Sequence, residues 1–330
     1  MQMKGYLGID VGSVTTKLAV LVENDELVSH TYLLTQGKPI EMVQQGLRQI
    51  QQNLPAGMDI SGVATTGSAR YLSGVITGAD LVKNEITSHA TAALHYYPDV
   101  QTIIEIGGQD SKIIIIRDSV VTDFGMNTVC AAGTGSFLDH QAIRLNMNIE
   151  DLSRQAVNSQ TPVRIAGRCT VFAESDMIHK QQMGHRTEDI LYGLCQALVR
   201  NYLNNVGLGK EMKSPIIFQG GVAFNQAIVK AFESELETKV IVPPHHQLMG
   251  AIGAALLVHE AMEGRNGRDN SRFKGFGVSD TRYQTSSFEC KSCPNLCEIA
   301  QLALNKEILA RWGGRCDLWE RTPGKSESSR

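Results

Sequence analysis

The sequence predicts a duplicated α/β fold, and three observations carry that prediction. The first is a repeated hairpin: GIDVGSVTTKLAV and IIEIGGQDSKIII align at a constant offset of 95 residues, with Glu105 on Asp10, Gly107 on Gly12, Ser111 on Thr16 and Lys112 on Lys17. The second is the alternation of short apolar strands with amphipathic helices, the pattern of sheets covered by helices. The third is size: 330 residues, 42% of them hydrophobic, suffice for two domains or one doubled fold with a sizeable core. Two equivalent acid–glycine–lysine turns imply halves that face each other and pinch a nucleotide. A chance pairing of two hairpins is the alternative.

Bulk properties narrow the function. Charged residues at 20% and a net charge of -3 describe a soluble globular chain and argue against a nucleic-acid surface. No apolar run approaches the roughly 20 residues of a membrane span, and residues 1–4 lead into a strand rather than a signal peptide. A cytoplasmic protein with neither a membrane nor a nucleic-acid partner is expected. In a reducing compartment the seven cysteines point to metal or redox work rather than disulfides.

Taken in order, residues 6–9 and 18–22 read as strands around a polar turn. Asp10 offers a carboxylate for magnesium, and Gly12, Ser13, Val14, Thr15, Thr16 and Lys17 offer amides, hydroxyls and an ammonium group for phosphate oxygens. Residues 39–54 place Met42, Val43, Leu47, Ile50 and Leu54 on one face of a helix. Residues 63–66 form a strand ending at Gly67, and residues 84–93 a capped helix in which His89 is a satisfied interface histidine. In NTVCAAGTGSFLD, residues 127–139, Cys130 precedes a glycine-rich turn and a helix over 136–145, whose positive end suits a thiolate. Gly133, Thr134 and Gly135 add amides that can approach a phosphate. A core cysteine beside a tight turn is the competing reading.

Residues 164–177 repeat the arrangement, with Cys169 just before a helix. Two such cysteines do not complete a four-thiolate cluster, so a cubane requires two more from a second subunit across a two-fold axis; two independent buried thiols are the alternative. A helix over 187–206 takes Cys195 into the core. A strand at 215–219 ends at Gly220 and Gly221, where a purine or ribose can lie on bare backbone, and Asn225 caps the following helix. After a strand at 239–242, the helix opening over 247–255 presents the small face Gly250, Gly253 and Ala254. The domain division is residues 1–262, with halves 1–95 and 96–262, a linker over 263–275, and an extension over 276–330. There Cys290, Cys293 and Cys297 (C-x2-C-x3-C), with Cys316 after a helix expected over 299–311, are spaced as ligands of a second iron–sulfur or zinc site. The closing TPGKSESSR reads as disordered, and the chain as truncated within a longer protein.

The set GIDVGSVTTK, EIGGQDSK, NTVCAAGTGSFLD, GRCTVFAESDM, FQGGVAFN and HHQLMGAIGAAL resembles the ATP-dependent activators of 2-hydroxyacyl-CoA dehydratases and the related ATPase subunits of benzoyl-CoA reductase, over about residues 6–258. The resemblance implies the duplicated ribonuclease H-like fold of actin, hexokinase and acetate kinase. It implies a homodimer with a [4Fe-4S] cluster shared through Cys130 and Cys169 of each subunit. MgATP hydrolysis would drive a low-potential electron from an external donor such as ferredoxin or flavodoxin into a partner dehydratase or reductase. By the same resemblance, residues 12–17 hold phosphate and Asp10 organises magnesium. Gly107, Gly108, Gln109 and Asp110 face the γ-phosphate, with Gln109, Asp110 or Glu105 placing the attacking water, and Gly220, Gly221 and Gln247 border the adenosine. Two departures stand out. Glu105 occupies a position usually held by aspartate, and the extension looks like the junction of long fused relatives, where an activase module precedes a reductase-like region. A sugar-type kinase and a non-catalytic nucleotide-dependent scaffold are the alternatives within the fold; no acceptor-binding aspartate supports the kinase.

Overall fold

A computed structural model describes residues 3–264, 271–316 and 318–319. Continuous apolar runs separated by short turns give three antiparallel strands first, β1 (Met3–Val11), β2 (Thr15–Val22) and β3 (Leu27–Leu34). Pro39 then starts α1 (Pro39–Asn53), where its missing N–H costs nothing. β4 (Met58–Thr66) follows, then α2 (Arg70–Thr77), closed by Gly78 in the left-handed region, then β5 (Leu81–Val82) and α3 (Glu85–Tyr96). The pattern restarts with β6 (Thr102–Ile106), β7 (Ser111–Arg117) and β8 (Val120–Asn127). Four helices come next: α4 (Gly135–Arg144), α5 (Ile149–Ala156), α6 (Thr170–Gln182) and α7 (Thr187–Asn205). The repeat ends with β9 (Ile216–Gln219), α8 (Gln226–Leu236), β10 (Val240–Ile241) and α9 (Met249–Glu263). Among the described residues no helix is long and apolar enough to cross a membrane.

The duplication is real at the level of hydrogen bonding. One sheet runs β3-β2-β1-β4-β5 and the other, read from its opposite edge, β8-β7-β6-β9-β10. In both, the first three strands are antiparallel and the last two join in parallel. This is the duplicated ribonuclease H-like arrangement expected from the sequence. Each sheet has its own core: Leu7, Ile9, Leu18, Leu47 and Ile76 in the first, and Ile104, Phe137, Met177, Leu194, Cys195 and Phe218 in the second.

The boundaries differ from those expected. One unit holds the chain up to Glu85 and from Gly250 onward, and the other holds Ile86–Met249. Each unit therefore contains one repeat's sheet together with the other repeat's last helix. His89 on α3 hydrogen-bonds Gln219 of β9 through Nδ1 at 2.8 Å. On α9, Ala251 lies so close to β1 that a Cβ on Gly8 would fall 1.8 Å from its carbonyl oxygen. Hydrophobic periodicity marks a helix's apolar face but not the sheet it covers, which is why a division at 95 and 262 missed the exchange.

The extension is a further departure. The helix expected over 299–311 is a hairpin, in which β11 (Gln284–Glu289), β12 (Glu298–Leu304) and β13 (Glu307–Trp312) form an antiparallel sheet. Asn305 and Lys306, at φ of 50° and 71°, make the two-residue turn, and the register brings Leu304 opposite Glu307. The sheet joins the first unit, with Leu302 buried in the same core as Leu47 and Ile76. Gln44 of α1 donates to the carbonyls of Val278 and Thr281 at 2.9 and 2.7 Å. Part of the expected linker is fixed as well: the Arg272 amide donates to Asp80 at 2.7 Å and the Lys274 amide to the Thr77 carbonyl at 3.0 Å. Its central residues 265–270, and all of the terminal stretch read as disordered, lie outside the described residues.

Candidate functional site

The two hairpin turns share one backbone design. The Gly12 amide donates to the Thr15 carbonyl at 2.9 Å, and the Gly107 amide to the Asp110 carbonyl at 3.0 Å. Directly across each hairpin, Asp10 opposes Lys17 and Glu105 opposes Lys112. Lys17 Nζ reaches Asp10 Oδ2 at 3.0 Å. Lys112 Nζ reaches Glu105 Oε2 at 3.0 Å and Asp110 Oδ2 at 2.7 Å, and its side chain is only 2% exposed against 16% for Lys17. Lys112 is thus the buried counter-ion of two carboxylates, whereas Lys17 remains at the surface of its turn. Thr16 is buried with its hydroxyl against that of Thr35 at 3.0 Å, so its side chain braces the first turn instead of facing a phosphate. Ser13 and Gln109 are exposed; Gly12, Val14, Thr15, Gly107, Gly108 and Asp110 are partly so.

The duplication extends beyond the turns to Gly220 and to Thr66, Gly67 and Gln219, to which sequence reasoning gave no site role. β4 lies beside β1 with Thr66 at Asp10, and β9 beside β6 with Gln219 at Glu105. Gly67 and Gly220 follow these strands at φ of 90° and 94°. A Cβ on Gly67 would stand 2.7 Å from Asp10 Oδ1, and one on Gly220 would stand 3.0 Å from Glu105 Oε1. Both sites need glycine because φ is positive and a backbone carbonyl of the neighbouring strand, that of Val11 or Ile106, lies 2.4 Å from the Cβ position, with the carboxylate just beyond it. The signal was present as TTG and FQG after matching strands. Around Gly220, the His246 amide oxygen and ring Nδ1 are both bonded to its backbone at 2.9 Å, and Phe224 packs edge-on against the His246 ring at 4.3 Å. Burial lowers the pKa of His246, which keeps the ring neutral at neutral pH. Gly221 and Gln247 are partly exposed beside them.

In the same unit, Cys130 precedes a single 3-10 turn (Ala131–Gly133) and Cys169 precedes α6; both are extended and half-buried, and neither caps its helix with the thiol. The amides of Thr134, Gly135 and Ser136 are committed within the protein. Thr134 is buried, with its N–H and hydroxyl on the Ala131 carbonyl at 3.0 and 2.9 Å. The Gly135 amide donates to the Gly107 carbonyl at 2.9 Å and the Ser136 amide to the Gly108 carbonyl at 2.8 Å. The expectation that Thr134 and Gly135 present amides to phosphate is therefore corrected: the start of α4 grips the phosphate-type turn itself. Cys195 is fully buried, its thiol pushed up to about 12 by burial. In the extension Cys290 is buried, Cys297 half-buried, and Cys293 and Cys316 exposed. Cys290 Sγ accepts from Trp319 Nε1 at 3.2 Å. Among the described residues no group of three or more His, Cys, Asp or Glu side chains is placed to hold a metal ion, so ligand-like spacing in the extension is not matched by ligand-like geometry.

Two like-ordered sheets, each carrying an acid–glycine–lysine turn, define a duplicated ribonuclease H-like ATPase. More narrowly, the chain matches the BadF/BadG/BcrA/BcrD ATPase family over residues 7–258 and belongs to it. It is 34% identical over 258 residues to the (R)-2-hydroxyglutaryl-CoA dehydratase activating ATPase of Acidaminococcus fermentans, covering 77% of this chain and 96% of that one. It is likewise 35% identical over 254 residues to the uncharacterized protein YjiL of Escherichia coli, covering 76% and 95%. Among solved structures it is similar to component A of the A. fermentans dehydratase, at a TM-score of 0.71 and 32% identity over 78% of this chain and 99% of that one. The activator of 2-hydroxyisocaproyl-CoA dehydratase from Clostridium difficile, with bound ADPNP, gives a TM-score of 0.71 and 30% identity over 81% and 98%.

Proposed function

We propose that this chain is an ATP-dependent reductive activator, an ATPase that couples hydrolysis to low-potential electron transfer from a ferredoxin- or flavodoxin-like donor into a partner dehydratase or reductase. It works as a homodimer around a shared [4Fe-4S] cluster. The relatives above support the class, and one observation carries the coupling: the bonds from Gly135 and Ser136 to the Gly107 and Gly108 carbonyls join the turn to the helix after Cys130.

Cys130 and Cys169 fit the cluster as thiolate donors, since each is half-buried, and Cys169 stands at the start of the 13-residue α6, whose positive end favours negative charge. Beside them Val129, Val171 and Phe172 are 94%, 65% and 66% exposed, an apolar rim suited to a second copy. When bound, the cluster supplies one-electron redox chemistry at low potential. Gly12, Ser13, Val14, Thr15 and Lys17 hold the phosphates, Lys17 by charge and Gly12 by close backbone approach, while Thr16 braces the turn from beneath and Asp10 organises magnesium through water. Gln109 and Asp110, at the accessible tip of the second turn, orient the attacking water. Lys112 holds both acids of this turn, but Glu105 does not share that role because its side chain is 6% exposed against 32% for Asp110. Gly220, Gly221 and Gln247 border the adenosine, with the edge of Phe224 beside them.

The test is anaerobic purification of the full chain, with iron, sulfide, visible spectrum and ATPase rate measured on wild type, Cys130→Ala and Cys169→Ala. A brown wild type with one cluster per two chains, colour lost in both variants, is expected. A colourless wild type without iron refutes the reading, and phosphoryl transfer to a sugar would replace it with a kinase.

A further inference from the structure

We infer that Asn127 and Asn201 are the positioning residues for the two cysteine ligands, each fixing the backbone of one cysteine segment, with Gly133 as the point where they meet. The inference rests on the cluster reading above. Asn127 closes β8 and is buried. Its Oδ1 accepts from the amides of Cys130 at 2.9 Å and Val129 at 3.3 Å, while its Nδ2 donates to the Cys130 carbonyl at 2.7 Å. A residue held at both its N–H and its C=O keeps one backbone conformation, and that fixes the direction of its Cα–Cβ bond. A side chain of this length offers an acceptor and a donor on one carbon only as a carboxamide.

Asn201 is buried near the C-terminal end of α7, still inside the helix, where asparagine is a poor helix former. Its Nδ2 donates to the Gly167 carbonyl at 2.6 Å, two residues before Cys169, with the Arg168 carbonyl at 3.5 Å. Its Oδ1 accepts from Asn205 Nδ2 at 2.8 Å, which sets the end of the amide that faces the cysteine segment. A Cβ on Gly133 would stand 2.8 Å from Asn201 Oδ1 and 3.5 Å from Asn127 Nδ2, so the absence of a side chain lets the two amides approach. Gly167 is pressed onto α7 in turn, its Cβ position lying 2.9 Å from the Ala197 carbonyl oxygen. The segments of Cys130 and Cys169 are thus both referenced to one point on α7.

The experiment uses the full chain purified anaerobically, with Asn127→Ala, Asn127→Asp, Asn201→Ala and Asn201→Asp. The Asp variants keep size and acceptor but lose the donor. Asn148→Ala is the stability control, since Asn148 caps α5 by accepting from the Asp151 amide at 2.7 Å and touches neither cysteine segment. Measured are iron release to a chelator, the midpoint potential, the EPR line shape of the reduced protein, and amide hydrogen exchange at Val129 and Cys130. All four variants are expected to release iron about 10- to 100-fold faster than Asn148→Ala, the range typical of outer-shell partners of metal ligands. Their EPR line shape is expected to change, and in Asn127→Ala the exchange at Val129 and Cys130 to accelerate. A coloured wild type whose variants match Asn148→Ala in iron release, potential and EPR overturns the inference alone. A colourless wild type overturns the cluster reading and this inference with it, a failure already visible before any substitution.

Discussion

Replacing Gly135 with valine tests whether the grip of α4 on the second turn transmits the state of the nucleotide. The Cβ alone would stand 3.0 Å from the Gly107 carbonyl oxygen and 3.0 Å from Val222 Cγ2. Two further methyls turn a tight contact into overpacking, typically about 1–3 kcal/mol. The strain is relieved by moving α4 off the turn, which stretches the Gly135 and Ser136 amide bonds at 2.9 and 2.8 Å and the Ser136 hydroxyl bond to Gly108 at 2.5 Å. Each such bond is worth about 0.5–1.5 kcal/mol, so strain and grip are of equal scale. A shift of about 1–2 kcal/mol in that balance lowers the ratio of attached to detached arrangements about 5- to 30-fold. The assay is electrons delivered per ATP hydrolysed, measured with iron content. Iron is expected to stay, because Asn127 rather than Gly135 holds the Cys130 backbone. Gly133→Val is the contrast: it strikes Asn201 Oδ1 and is expected to lose iron itself. Unchanged electrons per ATP in Gly135→Val, with hydrolysis and iron intact, refutes the reasoning.

Lys112→Met leaves Glu105 and Asp110 without their buried cation and is expected to cost about 3–5 kcal/mol in denaturant unfolding, more than Lys17→Met at the surface of its turn. Equal costs would contradict the distinction drawn between the two lysines. Leu302→Ala removes a fully buried side chain that the extension contributes to the first unit's core, at about 2–5 kcal/mol by calorimetry. An unchanged melting temperature would mean that the extension does not stabilise that unit. The Ser159 hydroxyl, followed by the amides of Thr161 and Gln160, holds the Asp189 carboxyl below its ordinary range. Its folded pKa is lowered, so its contribution is complete above the unfolded value of about 3.9 and declines as pH falls toward the folded one. The stability gap between wild type and Asp189→Asn is expected to stay constant from neutral pH to about 5 and to narrow below about 4. A gap that persists in strong acid counts against this.

What the sequence disclosed was local chemistry that recurs. The Asp10 and Lys17 pair is set by one hairpin, so its repetition at Glu105 and Lys112 was legible without coordinates. Cys195 was legible for the same reason, lying on the apolar face of a long helix. The exchange of α3 and α9 was not, because close packing of Gly8 on Ala251 depends on two distant segments. In the extension, Ala, Leu and Gln favoured a helix while the Asn305–Lys306 turn specified a hairpin, and burial of Ile299, Leu302 and Ala310 decided the outcome. Asn127 and Asn201 were passed over because each acts on backbone groups, which carry no residue signature.

The duplicated turns have diverged in charge, and that divergence assigns their work. Asp10 and Lys17 neutralise each other at the first turn, with the ammonium group still within reach of solvent. The second turn holds Glu105, Asp110 and one lysine, so it carries one net negative charge, and its cation is sealed beneath the carboxylates. A neutral turn with an accessible lysine suits phosphate oxygens, whereas an anionic turn repels them unless magnesium or a polarised water intervenes. On the proposed reading, the second turn would be the more sensitive to the charge that disappears on hydrolysis. It is also the turn whose carbonyls hold the start of α4. On that reading, divergence between the repeats places the greatest electrostatic response on the hairpin tied to the start of the helix after Cys130.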